Sequence, residues 1–219
     1  ASEAIESGTK FLEQAKAVAN QALETAQPVI ARVSSEAELL AAIASDQKGL
    51  IVIEGKITLS DNTSLYLKDG QSLVGTTYIN GKPGVKSELV FNHNGGIARS
   101  SIIAASNSVI SNLRISTSTD AFSRDKGMIE ISGVCNVTLN NLEMDFNGTA
   151  YSGNVLGSAI RITDSDNTVI SGKVSIKTYG QYARGIWTES STIKFSDTYF
   201  QTSVSDIDSY LLSFTKSKI

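Results

Sequence analysis

The sequence predicts an all-β protein, a right-handed parallel β-helix solenoid with an N-terminal α-helical cap. Short segments in which apolar and polar residues alternate recur at roughly 25 to 31 residues, which is the period of stacked solenoid coils. Three clear copies begin at Met128, Ala159 and Gly185, a degenerate copy spans Ser101–Ile115, and an incomplete copy begins at Tyr210. Gly, Asn, Asp and Ser separate the strands, which is typical of tight turns.

Residues 1–48 are predicted to hold two helices that cap the solenoid, and residues 49–219 to form the β-helix, as one structural domain. The first helix is predicted over Ser2–Gln27 and ends at Pro28. Its narrow apolar stripe consists of Ile5, Leu12, Ala15, Ala19, Ala22 and Ala26. Such a helix either packs along the solenoid and covers its first coil, or joins a short coiled coil.

The second helix is predicted over Glu36–Ala44 and begins after Ser34 or Ser35. The chain then enters an apolar strand, Leu50–Ile53, and a shorter strand, Lys56–Leu59. These two strands are expected to start the first coil.

The last coil begins at Tyr210, and the sequence after it predicts no helix that would cover it. Its strand edges and the apolar side chains of Leu211 and Phe214 are expected to be hidden, because exposed edges promote association. We therefore expect either that the chain is C-terminally truncated or that it self-associates through the terminal coil. Lys216 and Lys218 would oppose open-ended stacking.

Composition excludes several classes of protein. The chain has 19 basic and 22 acidic residues and a net charge of −3, so it offers no basic stripe for nucleic acid. No apolar run approaches the ~20 residues of a membrane span. Cys135 is the only cysteine, so an internal disulfide is impossible, and cysteine usage neither supports nor excludes export.

Alternation along the strands predicts which side chains face outward. The isoleucines Ile129, Ile131, Ile160, Ile162 and Ile186 are expected to fill the interior. Glu130, Arg161 and Trp187 then project outward from successive coils and form a column. Two interpretations are open: a solvated sheet face with a weak Glu–Arg pair and the Trp ring over the Arg, or a ligand-contacting surface. On the first interpretation, removal of Glu130 costs little stability.

Several segments resemble the pectate lyase family. The residues 32–43 and Leu50–Ile57 resemble the family's N-terminal cap and its first strand, "I-x-V-x-G-x-I". Ser108–Ile115 is similar to the coil "N-V-I-I-R-N-L-x-I", and Arg124–Asn141 to "D-x-D-x-I-x-[IV]" followed by "N-V-W-[IV]-D-H". The resemblance extends from about position 32 to the end. It implies a parallel β-helix and a lyase that acts on uronate polymers, with carboxylates that hold calcium and an arginine base.

The positions that would carry this chemistry are largely replaced. Asp125 keeps the first acidic position of the pattern, but Gly127 occupies the second. In the next coil Gly157 and Arg161 stand where the family has carboxylates, and a guanidinium repels a cation. The arginine motif falls on 206–211, which supplies carboxylates instead. We therefore expect no calcium or other cofactor and no lyase mechanism of the family type.

Other candidate residues are weaker. His93, the only histidine, is expected at the surface of a loop. Four aspartates could include a carboxylate pair for glycoside hydrolysis, but the turn role is favoured; they are Asp120, Asp125, Asp145 and Asp164. Three residues are expected to share one tight bend and to stack as a structural ladder, namely Asn112, Asn141 and Asp197.

These features favour a secreted or surface-displayed module that binds a polysaccharide, or a host or cell-surface protein, without catalysis, as an adhesin does in virulence. Aromatic rings stack on sugars, and arginine pairs with the carboxylates of acidic sugars. The candidate ligand-binding residues are Glu130, Arg161, Trp187, Asp125, Lys126, Arg184 and Tyr182, with Tyr151 and Tyr179 in flanking loops. The alternative is a polysaccharide lyase or hydrolase with non-standard residues, Lys126 or Arg184 as base or charge neutraliser and Asp125 or Asp145 as acid. A purely structural spacer is a third possibility.

Overall fold

The structure is a computed structural model that describes residues 27–76, 78–79, 82–83, 87–93, 99–117, 126–147, 157–179, 184–204 and 210–219. These residues form nineteen strands and one helix. The helix predicted over Ser2–Gln27 lies outside the described residues, apart from Gln27 itself.

Two parallel sheets, one of eleven strands and one of six, contain nearly all of the strands. The larger sheet has two arms. The first arm consists of β1 (Val29–Val33), β2 (Gly49–Ile53), β5 (Gln71–Gly75), β10 (Val109–Ser111) and β13 (Thr138–Asn140). The second arm consists of β3 (Lys56–Thr58), β8 (Ser87–Phe91), β11 (Leu113–Thr117) and β14 (Glu143–Asn147). Two long strands, β16 (Thr168–Tyr179) and β18 (Ile193–Val204), run through both arms.

The smaller sheet is the one that carries the predicted outward column. It consists of β4 (Leu65–Tyr66), β9 (Ile102–Ile103), β12 (Gly127–Ser132), β15 (Ser158–Thr163), β17 (Arg184–Glu189) and β19 (Tyr210–Thr215). The short strands β6 (Tyr78–Ile79) and β7 (Lys82–Pro83) pair with each other as an antiparallel excursion between β5 and β8.

The chain passes from the first arm to the second arm to the smaller sheet, and then repeats. Each pass adds one parallel strand beside the corresponding strand of the previous pass, as in the pairs β9–β12, β12–β15 and β15–β17. The described part of the chain is therefore mostly β, with long parallel sheets, and is consistent with the parallel β-helix predicted from the sequence. We call each pass a coil.

One apolar cluster lies between the sheets. All five isoleucines predicted to face inward are fully buried in it, namely Ile129, Ile131, Ile160, Ile162 and Ile186. Ile129 is in register with Ile160, and Ile160 with Ile186. The predicted strand phase is thus confirmed, because a slip of one residue would have turned this set outward.

The helix α1 (Glu36–Ala44) has the predicted bounds. The Ser35 hydroxyl accepts a hydrogen bond from the Glu38 amide at 3.4 Å, and the Glu38 carboxylate accepts from the Ser35 amide at 3.2 Å, which is a capping box. The helix buries Leu39, Ala42 and Ile43 in the apolar cluster. It therefore covers the interior beside β2. Strand β1, which precedes the helix and pairs with β2, was not predicted.

The tight bend predicted at Asn112, Asn141 and Asp197 lies between the two arms, and all three residues have a left-handed backbone. Asn112 and Asn141 have φ values of 55° and 48°, and the Asn141 amide donates to Asn112 Oδ1 at 3.3 Å. In the next coil Gly172, at φ 66°, takes this place, because a Cβ there would lie 2.3 Å from Asn141 Oδ1. Asp197 has a φ of 48° beside a register shift in β18. The structural role predicted for these residues is confirmed for the asparagine pair.

A second asparagine ladder lies before the first arm and was not predicted. Asn136 Nδ2 donates to Asn107 Oδ1 at 3.0 Å, and Asn167 Nδ2 donates to Asn136 Oδ1 at 2.7 Å. All three residues are exposed and left-handed. Their separations of 29 and 31 residues match the coil period, so the signal was present in the sequence.

At the C-terminal coil, the Phe214 ring meets the Phe195 ring edge to face, with centroids 6.4 Å apart. Leu212 and Ile219 are exposed, and the Leu211 side chain lies outside the described residues. Self-association through this coil stays a prediction. In the described part of the chain, no helix combines the length and the apolar character that crossing a membrane requires.

Candidate functional site

The predicted column runs across the smaller sheet. Glu130 is in register with Arg161, and Arg161 with Trp187, so the three stand on successive coils. Neighbouring strands in a sheet lie about 4.8 Å apart, so the column brings their side chains into contact. Ile103 precedes Glu130 in register, and Ser213 follows Trp187.

Glu130 is buried, with 5% of its surface exposed. Its Oε2 accepts hydrogen bonds from the Ser100 hydroxyl and from the Gly127 amide, both at 3.0 Å. Its Oε1 accepts from Arg161 Nη1. The interpretation of Glu130 as a solvated residue is therefore wrong, because the previous coil and the start of its own strand enclose the carboxylate.

Arg161 lies between this carboxylate and the indole ring. Its side chain is 17% exposed, and its guanidinium carbon is 4.7 Å from the Trp187 ring centroid. The guanidinium carbon of Arg184 lies 5.5 Å from the same centroid. Two guanidinium groups therefore contact one aromatic ring, an arrangement in which the ring quadrupole attracts each cation.

Gly127 lies against the backbone of its own strand and of the next coil. A Cβ at Gly127 would lie 2.8 Å from Arg161 Cβ and 2.5 Å from the Ile129 carbonyl oxygen, so a side chain does not fit there. Any residue other than glycine at position 161 presents the same Cβ, so the lack of room at Gly127 does not depend on the guanidinium.

Basic side chains gather at one end of the smaller sheet. Gly127, Ser158 and Arg184 are in register at the first residues of β12, β15 and β17. Lys126 immediately precedes β12, and its carbonyl oxygen accepts from the Ser158 amide at 3.1 Å. Lys126 and Arg184 thus lie at this end of the sheet, and Arg161, three residues further along β15, pairs with the one carboxylate of the column, that of Glu130. Two further candidates, Asp125 and Tyr182, lie outside the described residues, as does Tyr151, together with the side chain of Tyr179.

His93 is buried, with 2% of its surface exposed, so the surface position expected from the sequence is wrong. Its Nε2 lies 3.0 Å from Ser101 Oγ, and its ring stacks on Phe91 with centroids 5.8 Å apart. Burial lowers the pKa of His93 to about 4, and the positive charge of Arg99 adds to this effect. The imidazole is therefore neutral at neutral pH.

The two remaining acidic candidates that the structure describes, Asp145 and Asp164, lie in different parts of the fold. Asp164 is an exposed turn residue at φ 48°, as favoured. Asp145 lies on the second arm, where its carboxylate is 3.9 Å from Arg114 Nη2. Asp120 is outside the described residues. Where the chain is described, no three His, Cys, Asp or Glu side chains form a group that could hold a metal ion.

A second charged row, on the second arm, was missed at the sequence level. Lys56, Glu88, Arg114 and Glu143 are in register on four successive coils. Glu88 lies 3.4 Å from Lys56 and 3.6 Å from Arg114, and Arg114 lies 3.8 Å from Glu143. The charges alternate along the row, so each coil attracts the next.

No family model and no curated protein matches the chain. Among solved structures, the chain is similar to the crystal structure of "a putative glycosyl hydrolase from Parabacteroides merdae ATCC 43184". The identity is 12% and the TM-score 0.36, over 84% of this chain and 91% of that chain. Values this low establish neither a shared fold nor a shared activity.

Proposed function

We infer that the chain is a right-handed parallel β-helix module of the pectate-lyase-like kind, secreted or displayed at a cell surface, that binds an acidic polysaccharide without catalysis. The ligand contacts the smaller sheet beside Trp187, where Arg161 and Arg184 meet the ring, and extends toward Lys126 at the start of β12.

The observation that carries this proposal is the contact of two arginines with one indole ring on the same sheet face. An indole offers an apolar platform for a sugar ring, and a guanidinium offers paired donors to a carboxylate. Among the residues that the structure describes here, the basic groups Lys126, Arg161 and Arg184 outnumber the one carboxylate of the column, so an acidic sugar is favoured over a neutral one.

The replaced positions support binding without turnover. A lyase of the family type needs a cation that neutralises the uronate carboxylate, and Arg161 stands where the resemblance places a calcium ligand. Gly127 has no room for the second ligand.

The test is a binding titration with a uronate hexamer and its carboxyl-reduced, neutral counterpart. Trp187 is the only tryptophan in the chain, so tryptophan emission, excited selectively over the seven tyrosines, reports on this site alone. We expect the uronate to quench the fluorescence saturably. The neutral hexamer should bind at least about tenfold more weakly, because it lacks one charge-assisted contact, and tenfold corresponds to about 1.4 kcal/mol. Arg184→Gln should weaken uronate binding, and the matched control Arg114→Gln, on the other sheet, should not.

Three results would overturn the proposal. If neither hexamer binds at millimolar concentration, the site is not a glycan site. If the uronate is consumed, with unsaturated product absorbing in the ultraviolet or with new reducing ends, the chain is a lyase or hydrolase with non-standard residues. If a purified host surface protein binds and neither hexamer does, the ligand is a protein and not a polysaccharide.

A further inference from the structure

The Glu130 carboxylate is a negative charge in contact with Arg161, one of the two guanidinium groups beside Trp187. This arrangement is unexpected for a site that takes an anion, because a carboxylate repels a uronate. The role of this charge rests on the proposed function of the same face.

Glu130 already provides Arg161 with a carboxylate partner, which is also what an acidic ligand would provide. Its Oε1 receives Arg161 Nη1, while its Oε2 is held by the Ser100 hydroxyl and the Gly127 amide at 3.0 Å each. Three donors fix the carboxylate in place, and only 5% of the residue is exposed. The other side of the Arg161 guanidinium faces the Trp187 ring at 4.7 Å.

We propose that Glu130 is an internal counter-ion that occupies Arg161, so that Arg161 orients the Trp187 ring and does not pair with the ligand. Glu130 thereby sets the preference of the site for acidic over neutral glycans. The ligand carboxylate is bound from the end of the sheet where Lys126 and Arg184 lie. Glu130 and Arg161 are positioning residues in this arrangement.

The test uses the ratio of affinities for the uronate hexamer and the carboxyl-reduced hexamer, because any loss of ring orientation affects both ligands and cancels in the ratio. Glu130→Gln keeps the shape but removes the repelling charge, so the ratio should rise by about fivefold, the factor for one partly exposed charge interaction. Arg161→Gln leaves Glu130 without its cation, and the ratio should fall by a similar factor. The double variant Glu130→Gln/Arg161→Gln should restore the wild-type ratio to within about twofold.

The matched control is Glu88→Gln on the other sheet. Glu88 also accepts from a serine hydroxyl, that of Ser116 at 2.9 Å, and it also pairs with an arginine of the next coil, Arg114. The Glu88→Gln variant changes the net charge by the same amount as Glu130→Gln, but at a place away from the site. The ratio should stay within about twofold of the wild type.

An affinity ratio of the double variant as low as that of Arg161→Gln would overturn the inference, because Arg161 would then contact the ligand itself. A Glu130→Gln ratio equal to or below that of the wild type would overturn it as well. If Glu130→Gln does not fold, as judged by circular dichroism, the double variant decides, because it contains neither charge of the pair.

If the wild type binds neither hexamer, the proposed function fails. The emission spectrum of the free protein then tests separately whether Glu130 holds Arg161 over the Trp187 ring. Removal of the carboxylate releases the Arg161 guanidinium from its place over the ring. Glu130→Gln should therefore shift the Trp187 emission, and Glu88→Gln should not. An unchanged emission spectrum would overturn the inference.

Discussion

Two glutamate–arginine pairs join neighbouring coils, one on each sheet, and their surroundings differ. Glu130 and Arg161 are in register on the smaller sheet, and Glu88 and Arg114 on the second arm. Each glutamate also accepts from a serine hydroxyl. The first pair is closed by the Gly127 amide and the indole, whereas the second is open, with the Arg114 side chain 41% exposed.

The difference is one of hydration. An exposed pair exchanges hydrogen bonds with water for hydrogen bonds to each other, so its net contribution is small. An enclosed pair has lost its water, so each member depends on the other. The same sequence pattern, a charged residue at the outward position of a strand, thus has two energetic consequences, and burial decides between them.

The largest expected effect separates the two glutamates. Glu130→Ala leaves Arg161 enclosed without its carboxylate and should lower the free energy of unfolding by about 3 to 5 kcal/mol. Glu88→Ala should cost about 1 kcal/mol or less, because Arg114 can turn to water, Glu143 or Asp145. Denaturant midpoints at unchanged slope measure both. Equal losses would mean that the two pairs do not differ in hydration.

The closed region should also respond to pH through His93, which hydrogen-bonds Ser101 beside the Ser100 that holds Glu130. The folded-state pKa of His93 is about 4, against an ordinary value of 6.5. Between these values the unfolded chain binds a proton that the folded chain does not, so stability falls as the pH drops from 6.5 to 4. The loss is at most about 3 kcal/mol.

Chemical denaturation across pH 7 to 4 measures this loss, and His93→Gln is the comparison, since its amide can keep the bond to Ser101 but does not titrate. The exposed acidic groups act in a lower window. Hydrogen bonds from Ser60, its hydroxyl first, lower the pKa of Glu36 below 4.5, so its contribution is lost only as the pH falls below that value. A parallel pH profile for wild type and His93→Gln would contradict the assignment to His93.

Local patterns predicted much of this architecture. Period-two alternation placed Ile129 and Ile131 inside and Glu130 outside, and helix signals at Ser35 placed α1, because each depends on residues close in sequence. The exposure predicted for Glu130 and His93 was wrong, because burial depends on residues that are far away in the sequence. Enclosure of Glu130 comes from Ser100, thirty residues away. Which side chain of a neighbouring coil covers a given position is not encoded in its own strand.

The site was predictable to a similar extent. The column of Glu130, Arg161 and Trp187 followed from strand phase and coil period, and both were detectable. The lack of room for a side chain at Gly127 could not be predicted, because it depends on where the Arg161 Cβ lies in the folded protein. The row through Glu88 and Arg114 was missed because β8, the strand that carries Glu88, was not recognised as a copy of the repeat.

Salt should sharpen the comparison at a smaller scale. Arg114→Gln should cost about 1 kcal/mol or less at 0.1 M salt and almost nothing at 1 M, because the Debye length falls from about 10 to 3 Å. The cost of Arg161→Gln should change little over the same range, because salt ions do not reach an enclosed pair. Guanidinium would itself screen the charges, so urea denaturation is the measurement. A similar salt dependence for both variants would place the two pairs in the same environment.

The smallest expected effect is that of calcium, which should not stabilise the fold. A ligand that binds only the native state adds about 2.7 kcal/mol at 100 times its dissociation constant, and for a chain of this size that raises the melting temperature by several degrees. Calcium needs several oxygen ligands, but Arg161 places a positive charge in the column, and Glu130, the one carboxylate there, already holds three donors. The melting temperature should therefore be the same in millimolar calcium, in magnesium and in chelator. A rise with calcium alone that Asp125→Ala abolishes would show that the acidic position retained from the family pattern still binds the ion, and that the guanidinium of the closed pair does not exclude it.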